Sequence, residues 1–169
     1  MAELLPQDRL QPSLLDRLTD NEPEQKSEPV EKRVLNLARL KDAVLRDLNW
    51  LFNASHSIRK EDAEAFPLVA KSVVNFGLPA FSGMTASDVE LRVMENALRD
   101  AINDFEPRLL RDHVRVRARR VEDKLSQHNK IAFDIECKLW AQPAEISLLL
   151  YSDVDLESGQ NSVKELGRG

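Results

Sequence analysis

Apolar residues at Val89, Val93, Met94, Ala97, Leu98, Ala101, Ile102 and Phe105 recur at the spacing of one helical face. A few residues later the period changes. Val114, Val116 and Ala118 alternate with Arg115, Arg117 and Arg119, which is strand spacing. The junction is Phe105-Glu106-Pro107-Arg108. Pro107 cannot continue the helix and pushes Glu106 out of the α region, so an acid and a guanidinium sit side by side at a fixed corner. Either the pair ties the helix end to the sheet, or the planar guanidinium on its rigid mount recognises another group.

A second helical pattern covers residues 30–52, with Val34, Leu37, Ala38, Val44, Leu45, Leu48, Leu51 and Phe52 on one side. Glu31, Lys32, Arg33, Arg39, Arg46 and Asp47 supply its wet face, and Trp50 reads as a packing residue at core or rim. A less regular helical stretch starts near Lys60 and is interrupted at Phe66-Pro67. Residues 72–79 read as a short buried segment entering a turn, with Gly77 free in its backbone and Pro79 fixing the exit. Thr85 or Ser87 is placed to cap the helix that ends at Phe105.

The last third alternates throughout. Ile131, Phe133, Ile135, Cys137 and Leu139 face one way, and Ile146, Leu148 and Leu150 repeat the pattern after a Gln142-Pro143 turn. The apolar Leu149 and Tyr151 predict that this strand is covered on both faces for part of its length. Ser158-Gly159 predicts a further turn and residues 160–163 a short edge strand. Strands joined by short connections form an antiparallel meander. The predicted class is α+β, with N-terminal helices packed on one face of a C-terminal antiparallel β-meander.

Composition divides the chain into residues 1–29, a flexible acidic arm, residues 30–165, a single α+β domain, and residues 166–169, a disordered tail. The arm holds one ordered candidate, Ser13-Leu14-Leu15-Asp16-Arg17-Leu18. There Ser13 and Asp16 suit a capping box, and Leu14, Leu15 and Leu18 form an apolar face on a helix too short to stand alone. That face docks either on the chain's own core or on a partner protein, and the flanking prolines and acids, which decouple the segment from the domain, favour the partner.

At 169 residues, 42% hydrophobic and 31% charged, the chain suits one folded domain. No apolar run approaches the roughly 20 residues that span a bilayer, and no basic stretch precedes an apolar core at the N-terminus. Membrane insertion is not expected, and the cytoplasm is the expected compartment. The net charge of −5 speaks against general nucleic-acid binding. Six arginines between Arg108 and Arg120 lack the interleaved aromatics on which bases stack. That stripe is either a solvated face or an edge for an acidic partner. Cys137 is alone, and His56, His113 and His128 are scattered, so neither a metal nor a cofactor is expected. Glu106 is the one carboxylate worth testing as a hydrolytic acid, yet adjacent arginines favour its ionised form, and no catalytic residues are assigned.

The segment 12–18, the helix ending Asp47-Leu48-Asn49-Trp50-Leu51-Phe52-Asn53, the Val74-Asn75-Phe76-Gly77-Leu78-Pro79 stretch with Gly83, Phe105-Glu106-Pro107-Arg108-Leu109 and the final 155–160 turn appear in an order that resembles TssE. TssE is the baseplate subunit of type VI secretion systems, related to a phage baseplate wedge protein carrying a "lysozyme-like" label. The resemblance implies an assembly protein with no reaction of its own. It implies that Glu106, Pro107 and Arg108 hold the subunit on the wedge proteins TssF and TssG, near TssK, and that the domain initiates the TssB–TssC sheath. Leu14, Leu15 and Leu18 are expected on a neighbouring wedge protein. A peptidoglycan-cleaving enzyme and a small regulatory adaptor are the rival readings.

Overall fold

A computed structural model describes residues 13–19, 24, 37–58, 60–81, 88–119, 130–141 and 144–166. The expected caps Thr85 and Ser87, the Gln142-Pro143 turn, the helical start at 30–36, most of the acidic arm and the tail beyond Leu166 lie outside these residues. Among the described residues five α-helices precede four strands. The helices are α1 (Leu14–Leu18), α2 (Leu37–Asn53), α3 (Lys60–Ala65), α4 (Pro67–Ala70) and α5 (Asp88–Phe105). The strands β1 (Arg115–Arg119), β2 (Lys130–Leu139), β3 (Ile146–Asp155) and β4 (Asn161–Glu165) form one antiparallel sheet in sequence order. This is the α+β class that the periodicities predict.

The two long helices lie on one sheet face because each carries a continuous apolar stripe. Leu40, Val44, Leu48, Leu51 and Phe52 of α2 meet Leu91, Met94, Leu98 and Ile102 of α5 over Phe133, Ile135, Leu139, Leu150 and Val154. On the opposite face Ala132 is buried and Tyr151 half-buried, whereas Leu149 is exposed, so at Leu149 β3 lacks the second cover that its apolar character predicts. What shields that face instead is charge. Arg119 of β1 grips Asp134 of β2 through three hydrogen bonds of 2.8–3.0 Å and lies 5.7 Å from the Tyr151 ring.

The two sheet edges differ. Along β4, side-chain amides of α2 replace a fifth strand. Asn49 accepts from the Val163 N–H at 2.9 Å and donates to its carbonyl at 3.1 Å. Asn53 repeats both contacts with Asn161 at 2.9 Å each. The fit is geometric: one helical turn and two strand residues both advance about 6 Å. On β1, Glu95 of α5 accepts from the outward N–H of Ala118 at 2.7 Å. The antiparallel alternation then leaves Val116 facing outward with its N–H and carbonyl.

The stretch after α2 inverts its sequence expectation. Val73 and Val74 are exposed, whereas Asn75 is buried. Asn75 donates to the Ala70 carbonyl at 3.0 Å, accepts from the Ile58 N–H at 3.2 Å and lies 3.3 Å from Nδ1 of His56. Burial lowers the His56 pKa and so favours a neutral ring whose Nδ1 can accept from Asn75. Three internal contacts thus make this polar side chain the centre of its loop. Gly77 then passes so close to α2 that a Cβ would sit 2.4 Å from the Ala54 carbonyl oxygen, and its φ is +130°. That approach lets the Leu78 N–H reach the same oxygen at 2.8 Å.

Three substitutions test these features. Gly77→Ala should destabilise the domain by more than about 1 kcal/mol, and Gly159→Ala, which meets open space, should cost less. Asn49→Ala leaves both outward groups of Val163 without their partners and should cost about 1–3 kcal/mol. Chemical denaturation measures all three. An unchanged midpoint for Asn49→Ala would show that water replaces the amide at no cost.

Candidate functional site

The Glu106-Pro107-Arg108 corner is a β-turn closed from inside. The Leu109 N–H donates to the Glu106 carbonyl at 3.1 Å, with Pro107 at the second position, where its fixed φ suits the turn. Leu109 is buried and bridges to Leu139. Arg108 accepts at its carbonyl from the Trp140 N–H at 2.8 Å, and the Leu110 N–H reaches the Lys138 carbonyl at 2.9 Å. The chain leaving α5 is therefore zipped onto the end of β2 immediately after the proline.

Within this turn the Glu106 carboxylate is 3% exposed by residue and belongs to Arg108. One oxygen accepts from the Arg108 backbone N–H at 3.1 Å and from Nε at 2.7 Å; the other accepts from Nη2. Nη2 also donates to Asp47 of α2 at 2.5 Å. Burial works against the Arg108 charge, yet the carboxylates of Glu106 and Asp47 outweigh it and hold the guanidinium above its ordinary pKa. Nη1 makes none of these bonds. The structure thus gives the two candidate residues different tasks: Glu106 holds, and Arg108 is held with one nitrogen to spare.

Asp47 continues outward. Arg46 donates from Nε to Asp47 at 2.9 Å, from Nη1 to Asp16 of α1, and lies 5.1 Å from the Trp50 ring. An alternating chain Asp16–Arg46–Asp47–Arg108–Glu106 therefore links α1, α2 and the corner. Ser13 caps α1 by accepting from the Asp16 N–H, the first half of a capping box, while its hydroxyl rather than its backbone N–H donates to the Asp16 carboxylate at 2.6 Å. The three leucines of α1 point away from the domain: Leu14 and Leu18 are 70% and 74% exposed, and Leu15 is also exposed. The ion pair, rather than apolar packing, ties this helix down.

Sequence reasoning placed Arg46 and Asp47 on a solvated helix face and Trp50 in packing. No local signal marks them, because their partners are 30 and 61 residues away. Elsewhere, an open depression of about 670 Å³ is lined by Asp112, Glu136 and Glu165 together with Lys41, Arg115 and Lys138. Its mixed signs mark no single ligand charge. No cluster of metal-ligating side chains occurs among the described residues.

The Asp16 link sets a pH dependence. The Arg46 hydrogen bond, helped by Ser13, lowers the Asp16 pKa below its ordinary 3.8. A depressed carboxyl stabilises the docked helix above the ordinary value, and the effect is lost as pH falls through the lowered one. Amide NMR should show α1 docked from pH 7 to about 4 and released below, with salt weakening it at neutral pH. Release near pH 6 would assign the link to another group.

The family model described as baseplate wedge protein gp25 matches residues 38–144, which take in α2, α5, the corner, β1 and β2. No curated protein and no solved structure gives a significant match. The match agrees with the TssE-like motifs and covers more than half of the sequence. With its corner mounted between two long helices and a four-stranded meander, this chain belongs to the gp25 family of baseplate wedge proteins.

Proposed function

We propose that the chain is the TssE-type baseplate subunit of a type VI secretion system, docking on the TssF–TssG wedge beside TssK and initiating the TssB–TssC sheath. Membership of the wedge family supplies the baseplate role. The observation that supports the docking assignment is the Arg108 side chain. It is clamped by Glu106 and Asp47 and presents Nη1 from a turn that cannot relax. A guanidinium fixed in advance loses little freedom on binding a carboxylate or carbonyl.

The same geometry supports a role without catalysis. Both oxygens of the buried Glu106 carboxylate are taken up by Arg108 donors inside the turn, so the side chain faces into the turn rather than being presented to a substrate. For the sheath, the β1 edge suits strand addition better than the β4 edge. Asn49 and Asn53 occupy the latter, whereas Val116 leaves backbone groups turned outward between Arg115 and Arg117. No helix among the described residues is long and apolar enough to cross a membrane, and the reading places the subunit on the cytoplasmic side of the machine.

Replacing Arg108 by Ala would strand a buried carboxylate, typically at a cost of about 3–5 kcal/mol, and would confuse folding with binding. Arg108→Lys keeps a cation beside Glu106 and removes Nη1. The variant should fold, by circular dichroism, and its affinity for co-expressed TssF–TssG should fall at least about tenfold, the value of one charged hydrogen bond. Wild-type affinity in the folded variant would remove Arg108 from the interface.

A further inference from the structure

Helix α1 rests on the domain through charge. Its leucines are exposed, and a helix of five residues has too few internal bonds to persist without the surface beneath it. Among the described residues the tie is the ion pair between Asp16 and Arg46. Ion pairs open to water hold weakly, and the Arg46 side chain is 34% exposed. Docked and released forms of α1 are therefore close in free energy, which makes this short helix a two-state element.

What lies behind the ion pair is shared. Arg46 bonds Asp16 through Nη1, while its Nε and Nη2 each lie 2.9 Å from one oxygen of Asp47. The other oxygen of Asp47 takes Arg108 Nη2 at 2.5 Å. Two guanidiniums thus lean on one carboxylate. Like charges that share a countercharge repel each other and compete for it. Asp16 offsets this: with α1 docked, Arg46 has a second carboxylate, and its charge is balanced. With α1 released, Arg46 turns its whole charge on Asp47 and on Arg108, and the Asp47–Arg108 bond weakens. Burial decides where the chain gives way. The Glu106 side chain is 4% exposed and stays with Arg108, whereas the Asp47 bond is more open to water.

We infer that α1 is a strap: docked through Asp16, it tightens the hold of Asp47 on Arg108, and released, it loosens that hold, with Arg46 and Asp47 as the relay. Release of α1 is thereby felt at the corner. The coupling is reciprocal by linkage, so a firmly clamped Arg108 also favours docked α1. The change is confined to charged side chains and α1 itself, because the apolar stripes of α2 and α5 keep the backbone beneath in place. This property belongs to the free chain and does not depend on the baseplate reading.

NMR on the full chain tests the relay. Rotation about the Arg108 Nε–Cζ bond exchanges Nη1 with Nη2 and requires the Asp47 bond to open, so its rate reads the clamp. Asp16→Asn removes the ion pair with little change of shape. The α1 amide shifts should move to coil values, and the Arg108 rotation should quicken at least about twofold, the lower end of coupling within one charged network. Ser13→Ala weakens the cap of α1 and leaves every charge in place; it should move both readouts in the same direction. In an Asp47→Asn background the shared carboxylate is gone, and Asp16→Asn should leave the rotation unchanged. An unchanged Arg108 beside a released α1 overturns the relay, and so does an effect that persists without Asp47. An α1 that stays docked in Asp16→Asn overturns the strap.

Discussion

A single guanidinium joins the parts of this molecule. Arg108 shares its donors between Glu106, at the end of α5, and Asp47, in the middle of α2, while its carbonyl closes onto β2. Without it, the carboxylates of Glu106 and Asp47 would face each other with Arg46 as a countercharge for Asp47 alone. One of them is almost wholly buried, where an unpaired charge is far costlier than a surface ion pair is favourable. The helix layer and the start of the sheet therefore keep one relative placement. Nη1 takes no part in these bonds.

Stability and interaction are divided among the elements in a consistent way. The apolar stripes of α2 and α5 are spent on the core, and the amides of α2 close one sheet edge. What is left outside is specific: the leucines of α1, Trp50, apolar side chains between Phe66 and Phe76, and the β1 edge. A baseplate wedge protein contacts several neighbours in its assembly and needs more than one such surface.

Much of this was legible in the sequence, where the signal was local and periodic. The stripe ending at Phe105, the alternation from Val114 and the turn forced by Pro107 each declare themselves within a few residues. Asp47 and Arg46 did not, because a charged residue on a wet helix face looks the same whether or not a distant partner awaits it. Residues 72–79 misled for a complementary reason. Hydrophobicity implies burial only within the chain's own fold, and Val73 and Val74 face outward while Asn75 exchanges water for three internal contacts. Leu149 misled in the same way, since it stays exposed although its alternation with Leu148 and Leu150 suggested a second cover.

The central claim is that the corner is set before binding and meets its partner through Arg108. A high-resolution cryo-electron-microscopy map of the assembled wedge tests this most directly. The account predicts Nη1 within hydrogen-bonding distance of a partner carboxylate, with the bonds to Glu106 and Asp47 unchanged from the free chain. An Arg108 that faces solvent in the assembly, or that abandons Glu106 to reach its partner, would contradict it.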